Sequence, residues 1–420
     1  MVKLLVVADD FTGALDTGVQ FAEKGIPTKI LNQASIGKEQ LKQIPTDVLV
    51  IDAETRHLNG RNAYQRVYEI VKEGKTAGIP YIYKKTDSGL RGNVGFELEA
   101  ALEASGEQYL TFVPAFPAMN RITVDGIQYV DGKPISESVF GKDPFEPVQS
   151  SRVKDLFRDV RVKTHTYKIS ESRDSSEEKE IGIFDAVREE DICRIADELL
   201  ENGKMGVMAG CAGFASVLTR RLKLQRKGTE IPTVPSKLLV ICGSINDISA
   251  VQIQYAQESG MKRFTMTPKQ QLTEGYLQTT NGKQWLEELK RTCASGKSCV
   301  VDTGGSDTKE MKAYLAQRGM ALEGARARIA SRLGEVLKAV IDTETDLTAM
   351  VIGGDTLQGF MEKAGCSEIT VYRELCHGTV LSLVDLGVRK QWLISKSGGF
   401  GNPELLIEVE NMIKEGGDNG

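Results

Sequence analysis

Residues 3–14 read KLLVVADDFTGA, and this stretch decides the class of fold. Lys3 to Ala8 is a short Val- and Leu-rich run, the pattern of a strand buried on both faces of a parallel sheet. It ends in two carboxylates, Asp9 and Asp10. A helix-like segment follows from Ala14 to Lys24, stopped by Gly25 and Pro27. Strand, acidic turn, helix is the opening of an α/β unit, and such sheets bind ligands beyond the carboxyl ends of their strands. Two adjacent carboxylates are too costly to bury unpaired. They must face water, a metal, a cationic side chain or a hydroxylated ligand. An aspartate that only caps the helix is the plainer alternative.

The pattern repeats downstream. Asp47 to Asp52 (DVLVID) reads as a second strand ending in Glu54-Thr55-Arg56, and Asn62 to Glu73 as a helix. Tyr81 to Lys84 reads as a third strand, and Lys85-Thr86-Asp87-Ser88-Gly89-Leu90-Arg91-Gly92-Asn93 follows it. Lysine and arginine there suit a carboxylate or phosphate. The hydroxyls of Thr86 and Ser88, with Asp87, suit a polyol, and the glycines admit close backbone approach. A solvated surface turn is the bland reading, but three strand ends would then converge on one sheet edge. Gln108 to Val113 is a fourth strand. The stiff loop PAFPAMNR (114–121) follows, and Asn120 and Arg121 at its end could reach a ligand. Ile122 to Pro134 alternates like a hairpin. Asp143 to Ile169 is polar and reads as an excursion or lid, and Ser170 to Glu180 as a solvated loop. Gly182 to Ala186 and Met205 to Ala209 read as strands flanking a helix from Glu189 to Asn202. Gly210 to Ala215 then opens another helix.

Composition bounds the function. A chain of 420 residues suggests two domains, and 40% hydrophobic residues can build a sizeable core. A net charge of -5 gives no reason to expect a nucleic-acid partner, yet it leaves room for a local cationic pocket. No apolar run approaches the roughly 20 residues of a membrane span, so no membrane partner is expected. The chain enters a strand directly, so no signal peptide is expected. The seven cysteines are scattered without a Cys-x-x-Cys pair and read as reduced thiols of a cytoplasmic protein. His57, His165 and His377 offer no zinc spacing.

Residues 224–237, LQRKGTEIPTVPSK, read as a linker dividing a domain over 1–230 from one over 238–420. The second half runs strand by strand into small residues and hydroxyls. Leu238 to Cys242 leads to Gly243-Ser244-Ile245-Asn246, and Ser298 to Asp302 to Thr303-Gly304-Gly305-Ser306. Ala349 to Ile352 leads to Gly353-Gly354-Asp355-Thr356, and Gln391 to Ile394 to Ser397-Gly398-Gly399. Helices are expected over Ile248 to Gln257, over Arg326 to Asp342 and from Pro403 onward. Turns of this kind aim backbone N–H groups at a phosphate. Together they suggest a nucleotide shelf, with 353–356 and 397–399 nearest the phosphates or ribose. Gly296-Lys297-Ser298 is no P-loop, because Arg291 stands where the first glycine belongs and a strand follows rather than precedes it.

The expected fold class is α/β, with two domains, each a largely parallel sheet flanked by helices, and an active site in the cleft between them. The simplest joint chemistry moves a phosphoryl group from a nucleotide held by the second domain to a hydroxyl held by the first, work done mainly by positioning and charge stabilisation. Asp10, Asp9 and Asp87, in that order, are candidates to orient and deprotonate the hydroxyl. Lys85 and Arg91 would hold the substrate carboxylate or the moving phosphoryl, and Arg56 the substrate anion. Mg²⁺ would bridge the nucleotide phosphates; its protein ligands are not legible. A phosphatase or hydrolase with Asp9 as nucleophile and a non-catalytic regulatory α/β protein are the alternatives.

These residues resemble the four-carbon acid sugar kinase family over nearly the whole chain. The resemblance rests on ADDFTGALDTGVQ (8–20), ETR (54–56), KKTDSGLRGN (84–93) and PAFPAMNRITVDGIQYVDGKP (114–134). In the second half it rests on CGS (242–244), GGDT (353–356) and SGGFG (397–401). It implies an N-terminal sugar-acid-binding domain and a C-terminal ATP-binding domain. The implied reaction is ATP-dependent phosphorylation of D-threonate, D-erythronate or 3-oxo-tetronate at the terminal hydroxyl. Asp9 or Asp10, Arg56 and Lys85 to Ser88 are implied to contact the sugar acid. Ser244, Gly353 to Thr356 and Gly398 or Gly399 are implied to contact ATP. Asp16 to Gln20 is most similar to the D-threonate kinase branch. A homo-oligomer stays open.

Overall fold

The protein is described from a computed structural model. It covers residues 1–420 except 34, 144–145, 170, 172–178, 227–232, 245, 305–308, 344–345, 418–420 and the side chains of 322–323 and 416–417. The expectations for Ile245, Gly305, Ser306 and most of the segments 170–180 and 227–232 lie outside the described residues. The chain divides into two compact units, Met1–Thr229 and Glu230–Gly420.

In the first unit, β1 (Leu4–Ala8) leads to α1 (Phe11–Ala22), β2 (Thr28–Asn32), α2 (Lys38–Gln43), β3 (Val48–Asp52), α3 (Gly60–Thr76) and β4 (Tyr81–Lys85). Next come α4 (Val94–Ser105), β5 (Tyr109–Val113) and a small antiparallel sheet of β6 (Arg121–Val124), β7 (Ile127–Val130) and β8 (Lys133–Pro134). The unit ends with β9 (Lys163–Tyr167), β10 (Glu180–Phe184), α5 (Glu189–Glu201), β11 (Val207–Gly210) and α6 (Ala212–Leu218). Its main sheet has the order β2-β3-β1-β4-β11-β5-β10-β9, and every pairing along it is parallel. All carboxyl ends therefore share one edge. The chain crosses from β3 over β1 to β4, so the order reverses beside β1, where a crevice forms in open α/β sheets.

Period-2 alternation on β4 decides what reaches that edge. Lys84 points toward α4, where its ammonium lies 3.0 Å from Glu97 Oε2 with both side chains buried. Lys85 points to the other face, against α1.

In the second unit, β12 (Leu238–Cys242) leads to α7 (Asp247–Glu258), β13 (Lys262–Thr265), α8 (Pro268–Leu272), α9 (Thr280–Ala294) and β14 (Cys299–Asp302). Helices α10 (Lys309–Arg318) and α11 (Leu322–Ile341) precede β15 (Thr348–Ile352) and α12 (Gly354–Ala364). The unit closes with β16 (Glu368–Cys376), β17 (Thr379–Asp385), β18 (Lys390–Lys396) and α13 (Leu405–Gly417). The order β13-β14-β12-β15-β18 is parallel, and β18-β17-β16 continues it antiparallel. Here the order reverses between β12 and β15.

Several expectations are corrected. Helix α1 starts at Phe11, not Ala14, because Asp10 caps it. The polar segment 143–169 is not a free excursion or lid over its described part: Val148, Val153 and Phe157 are buried in the core and β9 extends the main sheet. Its apolar residues are too sparse to show a period. Pro403 precedes α13 by two residues rather than starting it. β2, α4, β13, α9 and the β16–β17 pair were not anticipated.

The buried Lys84–Glu97 pair supports β4 beneath the site. Glu97→Ala leaves the Lys84 ammonium without its carboxylate in the core. It is expected to cost about 3–5 kcal/mol, read as a lower urea midpoint for the first unit; an unchanged midpoint contradicts that role.

Candidate active site

Three carboxyl strand ends meet on one guanidinium. Arg56, just beyond β3, donates Nε–H to Asp9 Oδ2 at 2.8 Å, with NH2 2.7 Å from the same oxygen. Its NH1 lies 2.7 Å from Asp10 Oδ2, and NH2 lies 3.7 Å from Asp87 Oδ1. The backbone N–H groups of Thr55 and Arg56 donate to the Asp9 carbonyl, binding the β3 turn to the β1 turn. Asn93 Nδ2 donates to the carbonyls of Thr55 and Leu58 and fixes the same turn from the far side. Burial works against the Arg56 charge, but Asp10, Asp9 and Asp87 outweigh it and lift its pKa above the ordinary arginine value.

The carboxylates divide by environment. Asp9 is buried. Burial would raise its pKa, but Arg56, Lys85 and Lys84 together hold it below the usual carboxylate range. Its Oδ1 is buried without a hydrogen-bond partner and faces Lys85 Nζ at 3.8 Å. Asp10 is more open, with 26% of its side chain exposed. Its Oδ1 accepts from Gly13 N–H at 2.9 Å, so the plain capping reading also holds. Burial would likewise raise Asp87, but Arg56 and Arg91 hold it far below its usual range. Arg91 grips Asp87 through Nε at 2.8 Å and reaches Asp143 through NH1 at 3.0 Å. Asp52, at the end of β3, is driven the other way. Burial and then the Asp10 charge raise it well above the carboxylate range, although Glu54 N–H donates to it.

Lys85 lies over the first turn of α1. A Cβ at Gly13 would stand 2.5 Å from Lys85 Nζ, so only glycine lets the ammonium settle there. Ser88 accepts from Arg121 NH1, and the guanidinium carbons of Arg91 and Arg121 sit 5.3 and 5.1 Å from the Phe140 ring centre. Thr86 is fully buried, and its N–H donates to the Gly210 carbonyl. Asp9, Asp10, Arg56, Lys85, Asp87, Ser88 and Arg91 thus come together at one edge, while the Thr86 side chain is packed in the interior.

In the second unit the turns after β12, β15 and β18 adjoin. A Cβ at Gly398 would lie 2.3 Å from Ser244 Oγ, and the Gly398 carbonyl accepts from Ser249 Oγ at 2.8 Å. Gly353, at φ +106, turns the chain into α12 with no side chain capping its N-terminus. Gly354 begins that helix, Thr356 is buried in its first turn, and Asp355 points outward to Arg326 NH2 at 3.0 Å. Ser397 N–H donates to the Gly378 carbonyl, and Gly399 is exposed nearby. An uncapped helix N-terminus beside close-packed glycine turns fits a nucleotide's phosphates. Among the described residues no three His, Cys, Asp or Glu side chains gather to hold a metal ion.

Two residues carry signals that strand patterning hid. Lys396, the last residue of β18, is 3% exposed, and burial lowers its pKa to about 8. Its ammonium donates to the Ser397 carbonyl at 2.9 Å, directly under the glycine turn. It sits inside an apolar run, where a lysine reads as part of the strand. Asp52 is hidden similarly as the last residue of β3.

Lys396 yields a pH test. Between about 8 and the ordinary lysine value the unfolded chain holds a proton that the folded one lacks, so stability rises with pH there. The unfolding free energy of wild type relative to Lys396→Met is expected to rise from pH 8 to 10, by up to about 3 kcal/mol. Urea titrations at each pH measure it, and a flat difference contradicts the buried, neutralisable lysine.

Residues 4–218 match the sugar-binding N-terminal domain family and residues 239–406 the nucleotide-binding C-terminal domain family. The chain is 28% identical to the D-threonate kinase of Salmonella typhimurium, over 98% of this chain and 99% of that protein. It is 26% identical to the D-erythronate kinase of Heliobacterium modesticaldum, over 98% and 99%. A crystal structure of a Salmonella typhimurium LT2 protein, 21% identical, superimposes with a TM-score of 0.77 over 97% of this chain and 99% of that one, which shows the shared fold. A sugar-binding domain followed by a nucleotide-binding domain, end to end with these relatives, places the chain in the four-carbon acid sugar kinase family.

Proposed function

We propose that the protein transfers the γ-phosphoryl group of ATP to the terminal hydroxyl of a four-carbon sugar acid, with D-threonate favoured over D-erythronate and 3-oxo-tetronate. The observation that carries this reading is that Asp10 and Lys85 both lie against Gly13 at the β1 switch point, where a Cβ would stand 2.6 Å from Asp10 Oδ1 and 2.5 Å from Lys85 Nζ. A carboxylate with an open face and an ammonium free of hydrogen bonds among the described residues stand together at the N-terminus of α1. Asp10 orients the attacking hydroxyl and accepts its proton. Lys85 offsets charge developing on the phosphoryl oxygens. Asp9 and Asp87 keep Arg56 and Arg91 in place, since carboxylates held below their usual range are weaker bases. Gly353, Gly354, Ser244 and Gly398 hold the nucleotide phosphates through backbone and hydroxyl donors. Mg²⁺, when bound with the nucleotide, would supply charge neutralisation on its phosphates while keeping several of its waters. All seven cysteines are thiols outside any disulfide, which fits a reducing compartment such as the cytoplasm.

An ADP-release assay with a panel of sugar acids tests the reading. ADP is expected only when a four-carbon acid is present, with intersecting initial-velocity lines because both substrates are bound before transfer. Phosphate release without an acceptor, or parallel lines, would favour a hydrolase with Asp9 as nucleophile. Asp10→Asn is expected to lower kcat by about 10²- to 10⁴-fold while the nucleotide Kd stays within twofold. Loss of nucleotide binding in that variant contradicts the role.

A further inference from the structure

We infer that Arg121, with Ser88, forms the subsite for the substrate's carboxylate and so sets the preference for an acid over a neutral polyol. The inference rests on the kinase reading above and adds a specificity residue to it.

The argument begins with how each cation at this edge is occupied. Arg56 is shared by Asp9 and Asp10, with Asp87 at longer range. Arg91 is held by Asp87 and Asp143. Their N–H groups are already directed at protein carboxylates, and an incoming anion would compete with charges a few ångströms away. Arg121 differs. Among the described residues no carboxylate lies within 4 Å of it, its NH1 meets only the Ser88 hydroxyl, and its Nε is buried with no acceptor. A half-buried guanidinium without a counter-ion is poorly solvated and strongly favours an anion.

Arg121 is also held in place before any ligand arrives. The Pro117–Met119 turn brings Asn120 to φ +52, and Phe116 and Arg121 exchange backbone hydrogen bonds at 2.7 and 3.1 Å. The guanidinium is stacked on Phe140, which Arg91 shares. NH1 and one face of the guanidinium are thus fixed, which holds the fork ready for a carboxylate. Lys85 and Arg121 act on one common neighbour. Burial raises the Cys211 thiol, and these two cations pull against that rise. Lys85 ends β4 and Ser88, the partner of Arg121, lies three residues further on, so both groups stand at the carboxyl end of β4. A short hydroxy-acid laid there has its hydroxyl end by Asp10 and Lys85 and its carboxylate end by Arg121 and Ser88. A purely structural Arg121 would need only the ring and the serine, and would not leave its charge uncompensated.

The test is a split between KM and kcat in full-length Arg121→Gln and Arg121→Lys. Both are expected to raise KM for D-threonate, by about tenfold or more for Gln and about fivefold for Lys, whose point charge cannot reproduce the fork. KM for ATP and kcat are expected to stay within threefold. If Arg121→Gln does not fold, Arg121→Lys alone decides. An unchanged KM for the acid, or a loss confined to kcat, overturns the inference. The wild-type control separates the two readings. A wild type that releases no ADP with any four-carbon acid defeats the kinase proposal, whereas an active wild type with variants of unchanged KM defeats only the Arg121 subsite.

Discussion

Arg56 is the constraint on which the first unit's site depends. Parallel strands bring Asp9, Asp10 and Asp87 to one edge, and like charges so close cannot all stay ionised in a dry setting without a shared counter-ion. One guanidinium with several fixed donors meets that need where a lysine would meet only part of it. The arrangement is costly to disturb, since removing one partner of a buried pair costs about 3–5 kcal/mol. At Asp52 burial and then the Asp10 charge push the carboxyl upward, which favours its neutral form beside that charge. The charges are paired before any ligand is present, the preorganisation that electrostatic stabilisation of a transferring group requires.

The second unit solves the opposite problem with little side-chain charge. Its strand ends are close-packed turns in which a Cβ would collide with a neighbouring hydroxyl, as at Gly398 against Ser244. Backbone amides and the uncapped start of α12 then supply donors in fixed directions. Lys396 lies just beneath, buried and easily neutralised, so it adds positive charge only while protonated. One unit is thus built around paired side chains and the other around bare backbone, as expected for a small polar acid and a polyphosphate respectively.

Much of this was legible in the residues. Val- and Leu-rich runs that break into acids or glycines marked the strand ends, and parallel sheets guarantee that such ends share an edge. The acidic turn at Asp9-Asp10 and the cluster from Lys85 to Arg91 stood out because charge next to an apolar run needs a reason. What stayed hidden depends on contacts across long stretches of chain. That Arg56 is committed to Asp9, 47 residues away, cannot be read from spacing. Arg121 was visible as the end of a stiff loop, but its lack of a counter-ion is a fact of three dimensions. β2 (TKILN) has only two apolar residues between polar ends and so does not stand out, and β9 lies in polar sequence because it closes the edge of the sheet. Thr86 lies within the charged run yet turns inward, since Thr86 N–H is bound to the Gly210 carbonyl.

A crystal structure of the protein with bound D-threonate tests the central claim most directly. The account predicts the acid beyond the carboxyl ends of β1, β3 and β4, its terminal hydroxyl on Asp10, and Arg56 still bridging Asp9 and Asp10. An acid seated elsewhere on the first unit, or an Arg56 released from Asp9 to bind it, would contradict the account.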